Sequence, residues 1–150
     1  MSSLLHFEDF AAGQVHALGP HQVTAEAIIA FASEFDPQPF HLDEEAARQS
    51  ILGGLAASGW HTTSMLMRLM CDACLSRSAI LGSSGMDEIK WLAPVLAGDV
   101  LTGTFTITGT RASSSRPGIG IVTFTSTLAK ASGTACIEMT GMFFMRARAA

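Results

Sequence analysis

Charge is scarce in this chain. Only 15% of its 150 residues are Asp, Glu, Lys or Arg, and the nine Lys and Arg are scattered singly. A formal charge of −4 and a pI near 5.6 argue against a sequence-independent nucleic-acid binder. Long apolar runs are missing too. The best candidate for a membrane span is interrupted by Arg68 and Asp72, short of the roughly 20 apolar residues a spanning helix needs. The first residues, Met-Ser-Ser-Leu-Leu-His-Phe-Glu-Asp, hold neither a basic region nor a long apolar one. No signal peptide is therefore expected, and a cytoplasmic location follows by default. Cysteine is sparse as well. Cys71 and Cys74 make one C-x-x-C, without the second pair or nearby histidines that zinc would want. Their i, i+3 spacing closes a helical pattern and simply shares a face. These two and Cys136 are read as buried, inert thiols, and no metal is expected.

What the chain does have is apolar surface. Hydrophobic residues make up 48% and mean hydropathy is +0.34, which points to further surface buried between subunits. The length suits a single domain, residues 1–150, with a sizeable core. Thr24 can cap a short helix with Glu26 in its first turn. Ile28, Phe31, Ala32 and Phe35 follow as an amphipathic stripe, and the helix must stop by Asp36. Asp43 caps another, from Glu44 to about Ile51, ended by Gly53-Gly54. Ser58 caps a longer helix reaching Cys74, apolar nearly all round, which reads as buried at the centre of something. Ser76 to Ser84 reads as a break.

The second half changes period. Leu101, Phe105 and Ile107 alternate with threonines, and Ile119 to Leu128 and Ala135 to Met145 are further strands, split by the turn 131–134. Gly85 to Val95 is another, while Arg111 to Gly118 forms a loop. Gly82 and Gly85 lack the Lys-Ser/Thr of a phosphate loop and mark a turn. Helices first and strands after give an α+β fold, an antiparallel sheet with helices on one face. A long apolar helix needs cover on most sides, and a sheet curved around it provides that.

The chemistry concentrates in Asp36-Pro37-Gln38-Pro39-Phe40-His41-Leu42-Asp43. An acid and an imidazole stand five positions apart, across a linker with two prolines that cannot be a helix interior. They are read as a pair on a stiffened loop. A carboxylate beside an imidazole orients it and biases its proton, as acid–base catalysis requires. His6, His16 and His21 carry no pattern and read as surface residues. Met65, Met67 and Met70 read first as core, with an acyl tunnel as the functional alternative.

With S-G-W-H-T some twenty residues on, and G-M-D-E-I-K-W-L-A-P-V-L-A-G-D after it, this segment resembles the MaoC-like dehydratases, which include the (R)-specific enoyl-CoA hydratases. The resemblance runs from about Phe31 to Gly103. It implies a hotdog fold, an antiparallel sheet wrapped around a long central helix, and a homodimer or larger assembly. It implies acyl-CoA or acyl-carrier thioesters as substrates and an enoyl-CoA hydratase or 3-hydroxyacyl-thioester dehydratase (a lyase), with no cofactor. Asp36 and His41 match the family's catalytic pair, and Gly59 the glycine whose N–H binds the thioester oxygen. Ser58 stands where the family commonly has His, and Met67 where the hydratases carry a helix serine. With Trp60 and His61, these two are candidate substrate-binding residues. His61 can line the acyl pocket or stack in the core. Thioesterases share the fold but place a carboxylate on the central helix, where this chain offers only Asp72, far from Gly59. A non-catalytic acyl-thioester binding protein is the third reading.

Overall fold

The computed structural model of the protein describes residues 3–149. Six antiparallel strands form its sheet: β1 (Val15–Gln22), β2 (Ile80–Gly82), β3 (Met86–Trp91), β4 (Val100–Ala112), β5 (Ile119–Lys130) and β6 (Ala135–Arg146). Their spatial order is β1-β4-β5-β6-β2, and β3 follows β2 along the same edge of β6. Between β1 and β2 come the helices α1 (Ala25–Phe35), α2 (Pro39–Leu42), α3 (Glu44–Arg48) and α4 (Gly59–Ala73).

Alternation explains the three long strands. On β5, Val122, Phe124, Ser126 and Leu128 turn inward, while Thr123, Thr125 and Thr127 turn out. Phe105 on β4 stands opposite Ser126, and Met139 on β6 stands opposite it from the other side. Across this inner face lies α4. Met65, Leu66, Leu69 and Met70 join Phe105, Phe124, Leu128 and Met139 in one buried cluster. Fully burying a side chain of this kind stabilises by roughly 1.5–3 kcal/mol.

The caps fall as anticipated. Thr24 accepts from the Ala27 N–H, Asp43 from Ala46 and Ser58 from Trp60. Several expectations need correction. The helices do not come first, because β1 precedes them on the sheet edge; its Gly19-Pro20 hides the alternation, and an edge strand tolerates proline. Ser76 to Ser84 is not merely a break, since it contains β2. The second short helix ends at Arg48 rather than near Ile51. The central helix is not apolar all round: Trp60, Ser64, Arg68 and Asp72 form an exposed stripe. Phe35 closes the α1 stripe yet is 66% exposed. His16 is half-buried against Phe105, ring centroids 5.7 Å apart, instead of lying on the surface.

Candidate active site

Asp36 and His41 meet because one helix must stop and another can start. The Asp36 N–H still donates to Ala32, closing α1, but Pro37 forbids continuation. Pro39 then opens α2, a first-turn position where its missing N–H costs nothing. His41 therefore lies on a helical turn, not on the loop expected from the two prolines. The tight reversal brings Asp36 Oδ2 to 3.4 Å from His41 Nε2.

The other ring nitrogen settles the tautomer. His41 Nδ1 lies 2.7 Å from the Ala56 carbonyl, which can only accept, so Nδ1 carries a proton. Ala56 is itself fixed: its N–H donates to Phe40, and Ala57 and Ala97 bond the 55–57 segment to 95–97. In a neutral ring, Nε2 then turns a lone pair toward a carboxylate. Two acceptors face each other, and a proton or a water between them reconciles the pair. His41 is only 6% exposed. Beside Asp36, the Ser58 hydroxyl contributes most to holding its carboxyl below the usual range. The Gln38 amide acts the same way; burial opposes both with a smaller effect, and the lowering by His41 is smaller still. Asp36 is thus held ionised.

Gly59 opens α4 two residues after Ala57. First-turn N–H groups lack intrahelical acceptors, and the helix dipole is positive there. Ser58 is fully buried; its oxygen accepts from Trp60, which leaves its own proton for Asp36. Trp91 lies against Gly59, where an added Cβ would come within 2.6 Å of the indole. A cavity of about 320 Å³ opens beside these groups, lined by His41, Gly59 and Thr62 and by apolar residues such as Phe40, Trp91 and Val95. That composition, a few polar groups converging in an apolar cleft, suits a small ligand.

The remaining candidates sit differently. Trp60 is 57% exposed and meets Trp91 edge-on at 5.1 Å. His61 is buried against Phe31, stacked at 4.7 Å, with its Nδ1 lacking a hydrogen-bond partner among the described residues. Burial first, and His21 second, push its pKa down. Met67 is half-buried against the core. Neither His61 nor Met67 lines the cavity. Asp72 pairs with Arg68 on the exposed face, Nε to Oδ1 3.0 Å. Lys90 pairs with Glu88 at 3.4 Å. Cys136 does line the cavity, but burial raises its pKa and it donates to the Leu128 carbonyl, so its thiol stays protonated. No cluster of three metal-ligating side chains occurs among the described residues. Sequence reasoning missed Thr62, Trp91 and the Ala56 carbonyl. Thr62, inside the quoted S-G-W-H-T, and Trp91, inside the W-L-A-P-V stretch, carried some signal, and the Ala56 carbonyl carried none.

Comparison with known proteins converges on one group. The family described as MaoC like domain matches residues 9–129. The uncharacterized protein YdeM of Bacillus subtilis is 31% identical over 97 residues, covering 65% of this chain and 69% of its own. The MaoC-like dehydratase of Rhodospirillum rubrum superposes with a TM-score of 0.87 at 43% identity, over 97% of this chain and 99% of that one. The (R)-hydratase of A. caviae involved in PHA biosynthesis shares the fold at 22% identity and a TM-score of 0.73, over 94% of this chain and 99% of that one.

Proposed function

The chain belongs to the MaoC-like family, and its fold is the hotdog; on that premise we propose that it is a hydro-lyase acting on α,β-unsaturated acyl thioesters. One observation carries the reading: a carboxylate held ionised faces a buried imidazole at 3.4 Å, beside a cavity that opens on a helix N-terminus. Metal or redox chemistry is not called on.

In the hydration direction, a water held between Asp36 and His41 loses a proton to the pair as its oxygen bonds to Cβ. The Cα=Cβ π electrons move onto the thioester, giving an enolate, and the pair returns a proton to Cα. The thioester bond stays intact, and atoms and charge balance. Because the two groups share their protons, neither is assigned base or acid alone. Such assistance is typically worth about 10² to 10⁴ in rate. The Gly59 N–H, aimed at the thioester oxygen, stabilises the enolate, a donor typically worth about 3 kcal/mol. Asp36 enters ionised, and the Ala56 carbonyl keeps His41 oriented with Nε2 toward it.

CoA or a carrier protein supplies the thiol, and the chain works as a homodimer or larger assembly of single-domain subunits in the cytoplasm. The thioesterase alternative wants a carboxylate near the helix start, whereas Asp72 lies at the far end, paired with Arg68.

The test follows a short trans-enoyl-CoA with purified protein, reading conjugated-thioester absorbance and free thiol together. Absorbance loss without thiol release, reduced at least 10²-fold by Asp36→Asn or His41→Ala, is the expected outcome. Thiol release would replace this reading with hydrolysis. Binding without either signal would replace it with a carrier or sensor role.

A further inference from the structure

The tryptophan seated on Gly59 has no part in the chemistry above. Its ring occupies the space where a glycine side chain would begin, 2.6 Å from the built Cβ position. The indole N–H donates to Thr63 Oγ1 at 3.1 Å, and that hydroxyl donates onward to the Gly59 carbonyl at 2.9 Å. Trp60 touches the same ring edge-on. Three contacts thus fix a side chain that keeps 47% of its surface exposed. Core packing does not explain this, because packing fixes side chains by burying them. An indole presents a broad, stiff apolar surface with only two side-chain torsions, so anchoring it yields a rigid wall at small entropic cost.

We propose that Trp91 determines which acyl groups the site accepts, by walling the cavity beside the Gly59 N–H and confining the acyl chain to about 320 Å³. The assignment rests on the thioester reading. With the carbonyl at Gly59 and Cα and Cβ beside Asp36 and His41, the remaining carbons must lie among the cavity's apolar side chains. Of these, Trp91 is the largest, and its other side is uncovered in the single subunit. Truncating it opens the cavity outward instead of leaving a closed void, so a longer chain can pass. The volume lies near the lower end of ligand pockets, roughly 300–1,000 Å³, which favours short acyl groups in the native protein. Thr63 is a positioning residue in this arrangement, since it holds the indole by its N–H.

The experiment compares the native protein with Trp91→Ala, Trp91→Phe and Thr63→Val. It reads kcat/KM for trans-butenoyl-CoA and trans-octenoyl-CoA, and Kd for butyryl-CoA and octanoyl-CoA, which have no double bond to hydrate. The eight-carbon to four-carbon preference is expected to rise at least tenfold in Trp91→Ala. Thr63→Val, which keeps the ring but frees it, and Trp91→Phe, which keeps a smaller ring without the N–H anchor, should each rise less than Trp91→Ala. Should Trp91→Ala fail to fold by circular dichroism, Thr63→Val carries the test. An unchanged preference in folded variants, in turnover and in binding, overturns the Trp91 assignment and leaves hydration standing. A shifted binding preference without turnover in any protein supports the wall and overturns the hydratase reading alone. No binding and no turnover overturns both.

Discussion

The two ends of α4 are made of opposite materials. From its middle to its C-terminal end Leu66, Met70 and the following Cys74 are fully buried, in one cluster with side chains of the sheet. At its N-terminal end stand the small residues Ser58, Gly59, Thr62 and Thr63, of which Gly59 and Thr62 line a cavity of about 320 Å³. The far end satisfies its side chains by packing alone. The near end keeps hydrogen-bonding capacity for the site: the Gly59 N–H, the Ser58 hydroxyl beside Asp36 and the face of His41 toward Asp36. One helix thus anchors the core with one end and offers chemistry with the other. Rigidity at the packed end is what allows the polar end to hold a geometry.

The largest effect that would break this contrast comes from the packed end. Leu66→Ala should lower unfolding free energy by about 2–5 kcal/mol, through lost burial plus a residual cavity. Denaturant titration reads the loss, and kcat per folded molecule should hold. A loss of activity without a loss of stability would mean that the two ends are not separable.

Ser58→Ala sharpens the contrast from the other end. Removing the cap should lower stability by roughly 0.5–2 kcal/mol. It should also raise the Asp36 pKa, since the hydroxyl is the largest influence holding it down. For Asp36 the sign is that of a depressed carboxylate. Its contribution to stability is present above the unfolded value of about 3.9 and is lost as pH falls through the folded value. In the variant, that loss and the acid limb of kcat/KM should both move to higher pH, whereas a stability change with an unmoved limb would leave Ser58 as a cap only.

The smallest effect concerns His61 and His16, whose pKa values burial lowers. A neutral buried imidazole stabilises fully above its unfolded value of about 6.5, and that stability is lost as pH falls from there toward the folded value. Melting temperature should therefore drop between pH 7.5 and 5.5, and His61→Phe should reduce the drop. An equal drop in the variant would assign the sensitivity to His16.

Local devices were legible in the sequence. Thr24, Asp43 and Ser58 were recognisable as caps because a cap acts within three residues. The Asp36–His41 pair was legible because prolines limit a five-residue path to few conformations. Distances across the chain were not legible. Trp91 reaches Gly59 only because β3 pairs with β6 while α4 lies across the sheet. His61 and Met67 share a helix with Gly59, yet turn elsewhere, His61 to Phe31 and Met67 to the core. Strand β1 escaped notice because Gly19-Pro20 interrupts its pattern.

By itself, then, the sequence determined most of the elements, their caps, the family and the closeness of Asp36 to His41, since each depends on neighbours along the chain. Tertiary structure alone decided which His41 nitrogen faces Asp36, what covers Gly59 and how much space remains beside them. Those depend on the Ala56 carbonyl, Trp91 and the 95–97 segment, which burial of the common core brings together from distant parts of the chain.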